Sequence, residues 1–191
     1  ARLQQLQQVV VFQFRKHPQL LIRQRAHRQR YALLHQTLHQ RGVMHRLYPM
    51  VDTLGVQHID LNLGCPVPKV TRKGGGGVLS WKTDRLAAIL RATVRAADAY
   101  GVPVTIKTRI GIDADHETFL DAGRIAQDAG VAAIALHART VQEAYAGEAH
   151  WDRIAELAGA LDIPVLGNGD IWEASDALRM VDETGAAGVV V

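Results

Sequence analysis

The stretch Val102-Pro103-Val104-Thr105-Ile106-Lys107 is a short apolar run that ends in a lysine and lies between two longer amphipathic stretches. Five such runs occur, at residues 58–63, 102–107, 132–137, 163–167 and 187–191. Stretches with apolar residues at helical spacing separate them, at residues 83–100, 116–129, 151–161 and 173–184. Nearly continuous apolar runs are typical of parallel strands covered on both faces. Their strict alternation with helices predicts βαβ units and an α/β fold with a parallel sheet.

The charge of the chain is divided unevenly. Residues 1–50 contain nine Lys or Arg, ten Gln and no acid, whereas residues 51–191 contain 13 Lys or Arg and 19 Asp or Glu. We therefore place a boundary near Met50, between an atypical segment at residues 1–50 and a domain at residues 51–191. Residues 1–50 have three open interpretations: a basic arm for RNA phosphates, a disordered or loosely helical tail, and an out-of-frame translation.

Composition narrows the possible classes of protein. The single cysteine, Cys65, excludes an internal disulfide and a cysteine-based zinc site. A lone thiol is consistent with a reducing compartment, and we expect a cytoplasmic protein. No run of roughly 18 apolar residues occurs, so we expect no membrane span, and we predict neither a metal nor a protein partner.

Polar or reactive side chains follow four of the predicted strands directly. The strand-end peptides are Asn62-Leu63-Gly64-Cys65-Pro66, Lys107-Thr108-Arg109, His137-Ala138-Arg139-Thr140 and Gly167-Asn168-Gly169-Asp170. In α/β barrels the functional groups gather where the strands end, at the carboxyl-terminal face. Four successive cases therefore predict one common site.

Cys65 and Lys107 are the most informative candidates. A lone cysteine is often only a small buried apolar residue, but Cys65 follows a predicted strand and lies between Gly64 and Pro66. A thiol that keeps its proton at neutral pH can donate it, whereas a nucleophilic thiolate needs a base or a positive field. Lys107 would either stabilise an anion, such as a reduced flavin, or extend its ammonium group to solvent.

The later strand ends suggest contacts with a cofactor or substrate, each with a simpler alternative. His137 would hydrogen-bond a flavin ring or a substrate and Arg139 would bind a phosphate, or the two would form a satisfied polar pair. Asn168, Gly169 and Asp170 precede a predicted helix, where backbone N–H groups bind phosphate. A tight turn with an Asn or Asp cap would use the same three residues.

A run of four glycines at residues 74–77 follows the Cys65 peptide. It lacks the terminal Lys-Ser/Thr of a nucleotide-binding phosphate loop, so we interpret it as a mobile or close-approach loop over the site. Lys69, Arg72 and Lys73 beside it would contact RNA phosphates or simply be solvated.

Taken in order, these peptides resemble the signature of the tRNA-dihydrouridine synthase family over residues 52–191. The matching segments are residues 59–66, 105–109, 136–140 and 163–171, with residues 145–151 after the histidine. The resemblance implies a (β/α)8 TIM barrel that binds FMN. It also implies tRNA as the partner, and reduction of the C5–C6 bond of a uridine with electrons from NADPH.

The resemblance further implies a role for each candidate. Hydride would reach C6 of the uracil from FMN, and Cys65 would protonate C5. Asn62 would hold the uracil, because an enzyme that acts on a base must take it out of the stack. Lys107 would lie at the flavin ring, His137 beside the flavin or uracil, and Arg139 near a substrate or cofactor phosphate. The ribityl-phosphate part of FMN would contact Asn168, Gly169 and Asp170.

The chain also departs from the family pattern. The opening strands, with an Ala-Pro-Met-type segment and a Gln on the third strand, are not found in residues 1–50. A complete barrel takes roughly 250 residues, and neither the Gly-Arg-Gly loop nor the helical tRNA-binding domain is present. We therefore expect a fragment, a partial barrel of about five strands and four helices, which binds FMN weakly and turns over little. The alternatives are a dihydroorotate dehydrogenase-like FMN barrel acting on a free pyrimidine, and a non-catalytic RNA-binding remnant.

Overall fold

The computed structural model describes residues 57–191 together with two short strands, β1 (Val10–Val11) and β2 (Ala32–Leu34). The boundary predicted near Met50 and the three interpretations of residues 1–50 otherwise lie outside the described residues. None of the helices in this described part is both long and apolar enough to cross a bilayer.

Strands and helices alternate from residue 57 onward. The strands are β3 (Ile59–Asn62), β4 (Val104–Arg109), β5 (Ala133–His137), β6 (Val165–Asn168) and β7 (Gly188–Val190). The helices are α1 (Pro68–Thr71), a 3-10 helix (Gly76–Trp81), α2 (Thr83–Asp98), α3 (Phe119–Asp128), α4 (Trp151–Ala160) and α5 (Ala174–Thr184). The five predicted strands and four predicted helices are confirmed, whereas β1, β2, α1 and the 3-10 helix were not predicted.

One sheet contains all seven strands in the order β1-β7-β6-β5-β4-β3-β2. Neighbours from β2 to β7 pair in parallel, and β1 pairs antiparallel with β7. Parallel neighbours that follow one another in the chain and are joined by helices are the repeating unit of a (β/α)8 barrel. The predicted partial barrel is therefore confirmed.

The outward face of the sheet and the helices form the main apolar core. Ile59, Ile106 and Leu136 on the strands are completely buried, as are Leu86 of α2 and Leu157 of α4. Burying a side chain of this size stabilises the fold by about 1.5–3 kcal/mol. The strands alternate, so their other side chains point to the opposite face.

The inward face of the sheet is polar or lined by small side chains. The register places Asn62 beside Lys107, Lys107 beside Ala135, and Arg109 beside His137. Ala135 also belongs to a small apolar group with Leu166 and Val190.

Candidate active site

A cavity of about 650 Å³ lies at the carboxyl-terminal ends of β3 to β6. All eight site residues predicted from the sequence line it: Asn62, Cys65, Lys107, His137, Arg139, Asn168, Gly169 and Asp170. Parallel strands end at one edge of the sheet, which brings these distant parts of the chain together. Within residues 57–191, no three His, Cys, Asp or Glu side chains are grouped so that they could hold a metal ion.

Cys65 lies three residues after β3, where the chain is held from both sides. The Gly64 N–H donates to Oδ1 of Asn62 at 3.1 Å, and the Gly77 N–H donates to the Cys65 carbonyl at 3.0 Å. Gly76 has φ +61°, and an added Cβ there would overlap the Cys65 carbonyl oxygen. The glycine run therefore packs behind Cys65, and the half-buried cysteine borders the cavity.

Lys107 extends from β4 toward the cavity, and the charge of Asp60 on the neighbouring strand β3 attracts it without an ion pair. Within residues 57–191, neither a hydrogen bond nor an ion pair joins its ammonium group to another side chain. Burial, and secondarily the positive charge of Arg109, lowers the pKa of Lys107 to about 8. The lysine is still mostly charged at pH 7, so this part of the cavity fits an anionic group.

His137 is almost completely buried at the end of β5, next to Arg109 on one side and Asn168 on the other. Burial, followed by the charges of Lys107, Arg109 and Arg139, lowers the pKa of His137 to about 3. The imidazole is therefore neutral at pH 7. One of its nitrogens donates and the other accepts, which suits a ligand with both kinds of group.

The buried Arg139 and the half-buried Asp170 form a clamp between the loops after β5 and β6. Arg139 donates to Asp170 Oδ1 at 2.7 Å, to the Ala146 carbonyl at 3.0 Å and to the Gly147 carbonyl at 2.5 Å. The second Asp170 oxygen accepts from the Ala149 N–H at 2.6 Å. Burial opposes ionisation of Asp170, but the hydrogen bonds from Arg139 and Ala149 outweigh it and hold its pKa below the ordinary value.

The clamp leaves little free bonding capacity for a ligand. Both carboxylate oxygens of Asp170 already accept hydrogen bonds, and of the guanidinium nitrogens of Arg139 only Nη1 makes none within the described residues. Asp170 thus orients Arg139 and the loop beside it, and Arg139 has one nitrogen left for an anion.

Asn168 and Gly169 complete the edge of the cavity after β6. Asn168 Nδ2 donates to the Val190 carbonyl at 2.8 Å, which ties β6 to β7. Gly169 has φ +120°, and an added Cβ would lie 2.8 Å from Cβ of Ala149. The glycine is thus required because the chain there packs directly against Ala149 in a conformation that other residues rarely adopt.

Two residues of the cavity, Arg109 and Tyr145, carried no assigned role in the sequence prediction. Arg109 is 2% exposed and donates from Nε to the Gly64 carbonyl at 2.8 Å and from Nη1 to the Ala144 carbonyl at 2.7 Å. Its guanidinium also lies 5.3 Å from the ring centre of Tyr145. The sequence did contain a sign that Arg109 belongs to the site: it lies two residues after Lys107 on a strand, which places both side chains on the inward face of β4.

Comparison with known proteins shows which family this chain resembles. The dihydrouridine synthase family model matches residues 8–191 of the chain. A "Probable tRNA-dihydrouridine synthase" of Mycobacterium leprae is 56% identical over 135 residues, which cover 70% of this chain and 35% of the relative. The tRNA-dihydrouridine synthase B of Xanthomonas campestris is 44% identical over 137 residues, which cover 72% of this chain and 40% of the relative. The chain thus spans well under half the length of these curated relatives.

A solved structure supports the fold independently. The 2,3-dimethylmalate lyase of the PEP mutase/isocitrate lyase superfamily superimposes with a TM-score of 0.50 at 19% identity, over 78% of this chain and 48% of that one. A likeness at this identity concerns the fold alone, and it agrees with a barrel-type α/β fold. Because the family model matches nearly the whole chain and the relatives share much of its sequence, this chain belongs to the dihydrouridine synthase family of oxidoreductases.

Proposed function

We propose that the protein reduces the C5–C6 bond of a uridine in tRNA in the cytoplasm, with bound FMN and with NADPH as the reductant. The names of the relatives support this reaction and this substrate. The observation that carries the proposal is the pairing of Cys65 and Lys107 in one cavity. The cysteine thiol there lies in the same site as a buried cation that forms no ion pair within the described residues.

The residues present fit a flavin. Lys107 would lie at the negatively charged N1 and C2 carbonyl region of the ring, and the neutral His137 would hydrogen-bond the ring or the uracil. The ribityl phosphate would lie beside Asn168 and Gly169, at the edge of the cavity after β6. Arg139 would offer Nη1 to a cofactor or substrate phosphate. When bound, FMN supplies the hydride that C6 of the uracil accepts.

Asn62 and Cys65 are the side chains that we assign to the uracil. Oδ1 of Asn62 accepts the Gly64 N–H, and within the described residues its Nδ2 donates to no other group, so it can donate to a uracil carbonyl. The Cys65 thiol gives its proton to C5, and the thiolate that remains takes a proton from solvent. The C5–C6 double bond thus gains one hydride and one proton, and NADPH becomes NADP⁺.

Replacement of Cys65 separates the two halves of this reaction. We expect Cys65→Ala to leave flavin reduction by NADPH unchanged and to slow dihydrouridine formation in tRNA about 100-fold or more, as for loss of a general acid. Cys65→Ser is the matched control, because its hydroxyl fills the same space but is a weaker acid. Anaerobic absorbance of the flavin and mass spectrometry of the tRNA measure the two steps.

Normal rates for both steps in Cys65→Ala would show that the thiol is not the acid.

Competition between tRNA and free pyrimidines, measured with the unsubstituted protein, tests the substrate class. A preference for a free pyrimidine over tRNA would favour the dihydroorotate dehydrogenase-like alternative. Binding of tRNA without any flavin binding would favour the non-catalytic remnant.

A further inference from the structure

Beside Cys65 the chain carries a concentration of positive charge that the reaction does not use. Residues 57–191 contain 13 Lys or Arg and 18 Asp or Glu, yet residues 69–85 contain five of these cations and a single acid, Asp84. We call these five side chains the cationic loop surface: Lys69, Arg72, Lys73, Lys82 and Arg85. The surrounding protein is acidic, so this surface is a local reversal of sign.

The fold holds these charges close together. Nη1 of Arg85 and Nζ of Lys82 lie 3.5 and 3.9 Å from the position that a Cβ of Gly74 would occupy. Both side chains come from the start of α2, and they meet the loop that carries Arg72 and Lys73. Within the described part of the chain, no acidic side chain forms an ion pair with any member of the surface. Like charges held together in this way favour binding of an anion.

The surface is joined to the rim of the cavity. Cys65 and Val67 line the cavity, and α1, which carries Lys69, begins at the next residue, Pro68. The hydrogen bond from the Gly77 N–H to the Cys65 carbonyl fixes the other end of the same loop. A polymeric ligand with one unit in the cavity would therefore extend past the cationic loop surface.

An exposed aromatic side chain distinguishes between the possible polymers. Trp81 ends the 3-10 helix immediately before Lys82 and is 51% exposed. The ring of His116 meets it edge-on with the centroids 4.9 Å apart. Cations that follow a phosphate backbone, with an aromatic ring on which a base can stack, are typical of surfaces that bind nucleic acid.

We propose that the cationic loop surface binds the phosphodiester backbone of the RNA strand that flanks the base held in the cavity. The proposal rests on the proposed function for the identity of the RNA. It adds a second contact region, outside the cavity, whose contribution depends on charge and on ionic strength.

Two double variants, one at the beginning of α2 and one further along it, each remove two positive charges and together test the proposal. Lys82→Gln with Arg85→Gln removes two charges from the surface. Arg91→Gln with Arg95→Gln removes two exposed charges further along α2, which also lack ion pairs within the described residues. The measurement is the Kd of the purified protein for tRNA at several salt concentrations, with thermal unfolding as the control for folding.

We expect the Lys82 and Arg85 pair to weaken tRNA binding roughly tenfold and to reduce the slope of log K against log salt by about 1 to 2. The Arg91 and Arg95 pair should change both quantities little. In a turnover assay, the KM for tRNA should rise while kcat and flavin reduction by NADPH stay constant.

Equal effects of the two pairs, or no effect of the Lys82 and Arg85 pair, would overturn the proposal. In the second case an acidic protein would be the better partner for this surface. Failure of the proposed function gives a different result. The unsubstituted protein would then form no dihydrouridine in tRNA, while the selective loss of RNA binding in the Lys82 and Arg85 pair would still support the surface.

Discussion

A charged lysine among buried groups is unfavourable unless an anion comes close to it. Lys107 is in this position: burial and the charge of Arg109 lower its pKa to about 8, and the charge of Asp60 offsets this only in part. Below pH 8 the side chain is charged in both the folded and the unfolded protein, and the full penalty is present. Between pH 8 and the ordinary lysine pKa of 10.5, the folded protein loses the Lys107 proton before the unfolded protein does. The destabilisation that comes from burying the charged side chain therefore decreases as the pH rises.

Lys107→Met should therefore change stability and cofactor binding in opposite directions. At pH 7 we expect the free energy of unfolding without cofactor to rise, by up to about 3 kcal/mol. We expect the affinity for FMN to fall at least tenfold, because the cation at the flavin ring is lost. Urea unfolding and FMN fluorescence titration measure the two effects.

Lys107→Arg is the matched control for this experiment, since it keeps the positive charge. It should retain more of the FMN affinity than the methionine variant does. A methionine variant that is less stable and binds FMN normally would show that the lysine is structural.

Single residues also show what the sequence could predict about the site. The eight predicted residues share a cavity because each lies at the end of a strand that its apolar pattern identifies. The clamp between Arg139 and Asp170 was not predictable, because it joins residues 31 positions apart through a loop conformation. Arg109 escaped assignment for a similar reason: it donates to backbone carbonyls, and backbone acceptors leave no mark in a sequence.

At the scale of elements, the glycine run and the 3-10 helix control where Cys65 lies. Gly76 lies between them with φ +61°, and its α-carbon packs directly against the Cys65 carbonyl. A side chain at this position would meet both a backbone conformation that L-residues rarely adopt and an overlap with backbone that cannot move freely. The position of the cysteine therefore depends on a residue eleven positions later in the chain.

Gly76→Ala should displace Cys65 and destabilise the protein. We expect a loss of roughly 1–3 kcal/mol in the free energy of unfolding, with slower dihydrouridine formation than in the unsubstituted protein. Gly159→Ala is the control, since Gly159 lies in α4 and an added Cβ there meets nothing within 4 Å. That substitution should stabilise the protein by about 0.5–1 kcal/mol.

Equal stability of the two alanine variants would show that the loop behind Cys65 can rearrange without loss of stability.

The strands of the sheet were predictable from the sequence to different degrees. Strands β3 to β7 lie in nearly continuous apolar runs that alternate with helices, and they were predicted. Strands β1 and β2 contain two and three residues, too few for a periodic pattern, and their pairing is determined by the sheet.

At the scale of the whole molecule, stability depends on pH through a group buried at the centre of the cavity wall. The pKa of His137 is lowered from 6.5 to about 3. Above pH 6.5 the imidazole is neutral in both states and has no effect. As the pH falls from 6.5 toward 3, only the unfolded chain takes up the proton, so the folded state loses stability.

His137→Gln should remove this part of the acid sensitivity. We expect the unsubstituted protein to lose up to about 2 kcal/mol more than the variant between pH 7 and pH 5, measured by urea unfolding at both values. His58, whose pKa is also lowered by burial, is present in both proteins, so it contributes equally to how the free energy of unfolding changes with pH in each. Identical slopes for the two proteins would mean that His137 is protonated without penalty in the folded state.

The convergence of Lys107, Arg109 and Arg139 on one cavity has a consequence for the kinetics of association. The described protein carries a net negative charge, but the cavity has more cationic than acidic side chains in its lining, and the cationic loop surface adjoins it, so this side of the protein is locally positive. Walls of low dielectric constant focus such a field toward the opening. An anionic ligand is drawn in only within about one Debye length, roughly 8 Å at physiological salt. Ionic strength thus controls how fast the ligand arrives, whereas the buried contacts determine how long it stays.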